Sequence, residues 1–120
     1  MNHCFAVNGN PAGPDIVGIE QIVKTYRETL PHITLGGPTL FAPLLEEFKS
    51  YVMSMHGSTS YQILLILTDG TIHDMPRTID LVCELSYFPC SIIIVGVGNA
   101  DFSSMEELDG DGGKLRNSQG

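Results

Sequence analysis

The feature that most constrains the fold of this chain is a short apolar run, Ile63 to Leu67, that stops at Thr68-Asp69-Gly70. An uninterrupted run of this length is typical of a strand that is buried on both faces of a parallel sheet. The Asp-Gly pair predicts a turn, because glycine adopts backbone angles that other residues avoid. The pattern therefore predicts a strand over Gln62 to Thr68 with Asp69 at its carboxyl end, where open α/β sheets hold their ligand sites.

Helical and strand patterns alternate along the rest of the chain, which predicts an α/β fold. In order, the predicted elements are a short strand over Cys4 to Val7, a helix capped by Asp15 and ending near Leu30, a helix opened by Thr39, the strand Gln62 to Thr68, a helix starting at Asp74, a strand over Ser91 to Gly98 and a helix over Ser103 to Leu108. The polar, glycine-rich segment from Asp109 to Gly120 is expected to be a flexible tail.

The predicted sheet is smaller than its strands require. The pattern supplies about three strands, whereas typical sheets have about five or six, and strands buried on both faces need neighbours and covering helices. We therefore expect residues 1–120 to be part of a larger α/β domain. We also expect unpaired strand edges, which can pair with a second copy of the chain or force a rearranged or partial sheet.

Length and charge limit the function classes. A chain of 120 residues is one domain at most. The formal charge of −8, with six basic residues, argues against binding nucleic acid through its phosphates and against direct docking on anionic lipid. The three cysteines have no zinc-site spacing, and no signal peptide or membrane-length apolar run is found. We expect a cytoplasmic protein with reduced thiols.

Two residues are candidate ligands of a hard divalent cation, Asp69 and Thr39. Mg²⁺ prefers a few carboxylate or hydroxyl oxygens together with water. Thr39 follows Gly36-Gly37-Pro38, and both candidates fall in loops at the top of the predicted sheet, where they can converge. Plainer alternatives stay open: a turn aspartate that bonds its own backbone, and a threonine that caps a helix.

Three further motifs have weaker functional interpretations. His73-Asp74 suggests acid–base chemistry, but Asp74 is well placed to cap the helix that follows. Gly96 to Asp101 resembles a dinucleotide loop, although Asp101 stands where the third glycine belongs. Asp109 to Gly113 looks like the start of a calcium loop but lacks the later ligands, so a solvated acidic turn is the better interpretation.

Six segments in order carry a family resemblance: Cys4 to Asn10, Gly18 to Glu20, Gly37 to Pro43, Leu64 to Gly70, Ile94 to Phe102, and Met105 to Asp111. Together they resemble the von Willebrand factor A-type domain of copines. The resemblance implies a doubly wound, Rossmann-like α/β domain with a mostly parallel sheet, of which this chain lacks the N-terminal strands and the C-terminal strand. It also implies a metal-ion-dependent adhesion site built from Asp-x-Ser-x-Ser, then Thr, then Asp. Thr39 matches the second element and Asp69 the third, and the first element is absent.

The function implied by the resemblance is a non-enzymatic protein-interaction module, with no catalytic residue. Mg²⁺ or Mn²⁺ would bind weakly at Thr39 and Asp69, and an acidic side chain of a partner protein would complete the coordination. Calcium-dependent association with phospholipid membranes would come from C2 domains outside this chain, in membrane trafficking or signalling. Two alternatives remain: a copine-like recognition domain of a RING-type ubiquitin ligase, and a small nucleotide-binding α/β enzyme using Gly96 to Asp101.

Overall fold

A computed structural model describes residues 3–55 and 57–109. The chain forms two compact units, Met1–Gly37 and Pro38–Gly120. Most of the predicted flexible tail, residues 110–120, lies outside the described residues, so that prediction stays open. Asp109, the first residue of the predicted tail, is the last residue of a helix.

The described residues of the first unit contain one α-helix, α1 (Ile19–Thr29), followed by a single 3₁₀ turn, Leu30–His32. The helix begins directly after Gly18, which has a φ of 86°. No side chain caps the start of the helix. The prediction that Asp15 caps this helix is therefore wrong. The apolar residues of α1 have helical spacing, but none of them is buried.

No strand forms over Cys4 to Val7, so this prediction is also wrong. A strand needs a neighbour for its backbone N–H and C=O groups, and the described part of the first unit supplies none. The segment is held instead by its carbonyl groups: the Val7 carbonyl oxygen accepts the Thr29 hydroxyl at 2.8 Å, and the Ala6 carbonyl oxygen accepts the Gly9 N–H at 3.0 Å.

The second unit is a mixed α/β arrangement, as the alternating pattern predicts. Its elements are α2 (Ala42–Ser54), β1 (Gln62–Thr68), α3 (Met75–Leu85), β2 (Cys90–Gly96) and α4 (Ser103–Asp109). The described residues contain a sheet of two parallel strands, with Gln62 opposite Cys90 and Thr68 opposite Gly96. Because parallel strands need a crossover, α3 connects β1 to β2.

One apolar core holds the second unit together. Its fully buried side chains include Leu45 of α2 and Leu81 and Leu85 of α3, and Ile66 of β1 packs in the same cluster. Burial of one such side chain stabilises the fold by about 1.5–3 kcal/mol. The half-buried Cys90 lies at the edge of this core, where its thiol donates to the Leu85 carbonyl oxygen at 3.4 Å and burial raises the pKa of the thiol.

Ion pairs link α2 and α3 at the surface of the core. Lys49 of α2 contacts Glu84 of α3, and Arg77 of α3 lies 3.1 Å from Glu46 of α2. Partly exposed pairs of this kind contribute at most about 1 kcal/mol each. The pairs therefore add little to the stability of the unit.

The strands are buried on one face only, which corrects the prediction of burial on both faces. Ile63, Leu65 and Leu67 of β1 are 57–67% exposed, and their neighbours Ile93 and Val95 on β2 are exposed as well. Of the alternate residues of β1, Ile66 belongs to the core, Leu64 packs against it and Thr68 is buried. The apolar run reflects two apolar faces, but the core described above covers only one of them.

Candidate metal site at the carboxyl end of the first strand

Asp69 lies directly beyond the last residue of β1, as the sequence predicts. The Thr68 carbonyl oxygen accepts the Val97 N–H at 2.8 Å. This bond keeps the ends of β1 and β2 paired up to the point where Asp69 begins the loop. The Asp69 side chain is exposed. Within residues 3–55 and 57–109 its carboxylate accepts no hydrogen bond, so it does not form the backbone-bonded turn that was the plainer alternative.

Thr39 lies in the loop ahead of α2. The helix begins at Ala42 with Phe41 as its N-cap residue, so the prediction that Thr39 opens this helix is wrong, and so is the alternative that Thr39 caps it. Thr39 bonds through its backbone instead: its N–H donates to Nδ1 of His73 at 2.8 Å, and its carbonyl oxygen accepts the His73 N–H at 2.9 Å. The side chain of Thr39 is left exposed.

Asp74 caps α2, a helix distant from it in sequence. Its Oδ1 accepts the Phe41 N–H at 2.9 Å and its Oδ2 accepts the Ala42 N–H at 2.7 Å. Oδ1 also accepts the hydroxyl of the fully buried Thr78 at 3.1 Å. Asp74 does occupy the N-cap position of α3, but its carboxylate bonds no backbone N–H of that helix. The prediction that the Asp74 side chain caps α3 is therefore wrong, and its carboxylate caps α2 instead.

The sequence contains one signal for the contact between Asp74 and the first turn of α2, which is the lack of a capping side chain at Phe41. Phe41 is a poor N-cap residue, because it has no side-chain acceptor for the free N–H groups of the first turn. Pro43 in the first turn removes one of those donors. The remaining N–H groups need an acceptor from elsewhere in the chain, and a carboxylate also interacts favourably with the helix dipole.

Buried apolar residues anchor the two loops that hold Thr39 and Asp69. Phe41, two residues after Thr39, and Ile72, three residues after Asp69, are each 5% exposed and belong to the core. Each candidate ligand is therefore exposed but lies within three residues of a fixed point. His73 and Asp74 connect the loops, since they end the loop that Asp69 begins.

The donor chemistry fits a hard cation that is held mainly by water. Asp69 offers a carboxylate and Thr39 a hydroxyl, which are the oxygen ligands that Mg²⁺ and Mn²⁺ accept. No hydrogen bond joins the two side chains in the described parts of the chain, and these parts contain no cluster of three or more His, Cys, Asp or Glu side chains able to hold a metal ion. Two protein ligands leave most coordination positions to water or to a partner.

In the loop from Gly96 to Asp101, the carboxylate of Asp101 has a structural role. Oδ1 of Asp101 accepts the Ser103 N–H at 3.0 Å, at the start of α4. The backbone N–H and the hydroxyl of Ser103 lower the pKa of Asp101, so the folded state favours the ionised carboxyl. The cap therefore contributes stability above the ordinary pKa of this carboxyl and loses it as the pH falls through the lowered value. A pyrophosphate at this loop would meet the negative charge of Asp101.

We expect Gly96→Ala to displace α4 from the sheet. A Cβ atom at Gly96 would lie 2.8 Å from Cε1 and 3.0 Å from Cδ1 of the Phe102 ring, so the ring must move and take the start of α4 with it. Overpacking of this kind costs about 1–3 kcal/mol. Urea unfolding measures the loss, and Gly36→Ala is the matched control, because nothing lies within 4 Å of a Cβ atom there. Equal stability of the two variants would contradict the contact.

A cavity in the second unit lies apart from Thr39 and Asp69. It has a volume of about 760 Å³ and lies between α3, β2 and α4. Its lining is mainly apolar and includes Ile92, Phe102 and Met105, and it includes neither candidate ligand. The cavity therefore lies in a different part of the second unit from the candidate metal site.

Comparison with models of protein families gives a match to the family described as Copine. The match covers residues 1–120, the whole of the chain. It includes both loops of the candidate site.

Proposed function

The chain belongs to the copine family, and from this membership we propose that it is a non-enzymatic protein-interaction module. In this proposal Thr39 and Asp69 supply the second and third elements of a metal-ion-dependent adhesion-type site. Mg²⁺ or Mn²⁺ binds there weakly, and an acidic side chain of a partner protein completes the coordination. No nucleic acid takes part, because six basic residues against a formal charge of −8 give phosphates no binding surface.

The observation that carries the proposal is the connection between the two loops. The segment that contains Thr39 is hydrogen-bonded to His73 and Asp74, which end the loop that Asp69 begins. Both side chains are exposed, so a hydrated cation and a partner carboxylate can reach them. Hard oxygen donors with few protein ligands suit Mg²⁺, which keeps several of its waters.

The same proposal includes the finer fold and the cellular setting. The parallel β1–α3–β2 unit, with an aspartate after its first strand, supports a von Willebrand factor A-type, Rossmann-like fold. None of the helices in the described residues is long and apolar enough to span a membrane. We assign calcium-dependent association with phospholipid membranes to C2 domains of the full-length protein, which would otherwise be cytoplasmic.

We expect Asp69→Ala to lower the affinity for Mn²⁺ at least about tenfold, because even residues that only orient metal ligands are worth about 10–100-fold. Calorimetric titration of Mn²⁺, and of Mg²⁺, into the 120-residue chain measures the change. Asp15→Ala is the matched control: it removes another exposed carboxylate, and Asp15 lies in the other unit. Equal Mn²⁺ affinity of the two variants would contradict the assignment of Asp69.

We propose that a second copy of the chain is one of its binding partners. In the described residues β1 and β2 each have one neighbouring strand, so each leaves one backbone edge unpaired, and the exposed sheet face is apolar. Such edges are templates for pairing between chains. We expect the apparent size in size-exclusion chromatography to increase with protein concentration. A constant monomer size over a hundredfold range, with a cooperative thermal transition, would contradict self-association.

A further inference from the structure

We infer that His73 and Asp74 are positioning residues, which together hold Thr39 at a defined place relative to Asp69. This inference rests on the proposed function, because it concerns the metal site that Thr39 and Asp69 would form. It adds two residues that match no element of the adhesion-site motif. We call the pair His73-Asp74 the clamp.

The clamp bonds three of the four residues from Thr39 to Ala42. His73 accepts the Thr39 N–H and donates its own N–H to the Thr39 carbonyl oxygen. Asp74 accepts the N–H groups of Phe41 and Ala42 on its two oxygens. Four hydrogen bonds thus connect His73 and Asp74, at the end of one loop, to the segment from Thr39 to Ala42. Two of them have an ionised acceptor, and such bonds are about twice as strong as neutral ones.

The two glycines that precede Pro38 and Thr39 give this segment no side-chain support. Gly36 and Gly37 lie in open space, with no atom within 4 Å of the position of a Cβ atom. Glycine retains the most backbone freedom of any residue. Thr39 is also exposed and precedes α2, so it has neither core contacts nor helical hydrogen bonds. Its backbone position is therefore set by Phe41 on one side and by the clamp.

The loop that begins at Asp69 is fixed at the clamp itself. Ile72 is buried immediately before His73, and Thr78 in α3 donates its hydroxyl to the same carboxylate oxygen of Asp74 that binds Phe41. The clamp is thus fastened to the core through Ile72 and Thr78. The hydrogen bonds of the clamp therefore tie the backbone of Thr39 to a fixed point in the loop that Asp69 begins.

The side-chain acceptor of His73 can be tested without changing the shape of the loop. Nδ1 accepts the Thr39 N–H, and the Oδ1 atom of asparagine lies the same number of bonds from the backbone as this nitrogen. His73→Asn therefore retains an acceptor, whereas His73→Phe keeps a ring and removes the acceptor. His73 is exposed, so neither variant disturbs the core.

Two readouts on the 120-residue chain separate a positioning role from a structural one. The first is amide hydrogen exchange at Thr39, and the second is the affinity for Mn²⁺ by calorimetry. In His73→Phe we expect exchange at Thr39 to rise about fivefold, the factor that one hydrogen bond of ordinary strength is worth. We expect the Mn²⁺ affinity to fall about tenfold, as for other residues that orient metal ligands. His73→Asn should restore both.

A second pair of variants tests the carboxylate. Asp74→Asn keeps one acceptor oxygen and loses the charge, so exchange at Phe41 and Ala42 should rise and the Mn²⁺ affinity should fall. Glu47→Gln is the matched control, because it neutralises an exposed carboxylate on α2 that has no hydrogen bond in the described residues. Exchange and affinity should be unchanged in that control.

The outcomes distinguish this inference from the proposed function. Faster exchange at Thr39 with unchanged Mn²⁺ affinity in His73→Phe would overturn the positioning role and leave the metal site standing. Unchanged exchange at Thr39 would overturn the clamp itself. Failure of the unsubstituted chain to bind Mn²⁺ would overturn the proposed function, and the positioning role with it, before any variant is compared.

Discussion

Leu81→Ala is expected to destabilise the second unit by about 3 kcal/mol. Leu81 of α3 is 0% exposed and lies in the apolar core described for that unit. Truncating a fully buried leucine removes its transfer free energy and leaves a cavity, and such changes cost about 2–5 kcal/mol. Urea unfolding followed by circular dichroism measures the change in the free energy of unfolding.

Leu67→Ala is the matched control for this prediction. It is the same substitution, in the same unit, at a residue of β1 that is 67% exposed. We expect its cost to stay below about 1 kcal/mol, since most of the side chain is already in water. A cost at Leu67 equal to that at Leu81 would mean that the face of the sheet with Ile63, Leu65 and Leu67 is covered in solution, which would contradict the one-sided core.

Asp74→Ala is expected to destabilise the same unit by about 2–4 kcal/mol. The variant removes the acceptor of two N–H groups at the start of α2, and loss of a helix cap alone costs about 0.5–2 kcal/mol. It also leaves the hydroxyl of Thr78, which is 0% exposed, without the carboxylate oxygen that it bonds. A buried polar group without its partner costs about 1–3 kcal/mol.

Thermal and urea unfolding both measure the effect at Asp74. The cap acts on α2, so the helical circular dichroism of the native state should also fall slightly as the first turn frays. Glu47→Gln, on the exposed side of α2, should change stability by less than about 0.5 kcal/mol. If Asp74→Ala were as mild as this control, the hydrogen bonds from Phe41 and Ala42 would not be part of the stable fold.

The parts of the fold that were predictable have strong local signals. The unbroken run from Ile63 to Leu67 predicts β1 with its observed bounds, and Asp69 falls where the strand ends. Pro76 lies in the first turn of α3, and Pro89 follows the end of that helix. These signals depend on neighbours in the sequence, so they survive whatever the rest of the chain does.

The failures at Cys4 to Val7 and at the second face of β1 depend on partners distant in sequence. Cys4 to Val7 has the composition of a strand, but a strand forms only where another strand supplies hydrogen bonds. The apolar run of β1 indicates two apolar faces and does not say which of them a helix covers. Local propensity is overridden by tertiary contacts in such cases.

The sequence indicated the two candidate metal ligands, but it did not indicate the residues that hold them in place. Thr39 and Asp69 were identified by residue type and by family resemblance, and these assignments stay predictions. The role of Asp74 at α2 could not be read from its own neighbourhood, where it looks like a cap for α3. The missing cap at Phe41 was the one usable signal, since free N–H groups of a first turn need an acceptor.

The central claim is that Thr39 and Asp69 belong to one metal site, and paramagnetic broadening by Mn²⁺ tests it most directly. Mn²⁺ added in small amounts to the isotope-labelled 120-residue chain broadens the amide signals nearest the ion. We expect the earliest broadening at Thr39 and at Asp69 together, and its loss from both in Asp69→Ala. Broadening spread over the acidic surface of the chain, or confined to one of the two loops, would contradict a shared site.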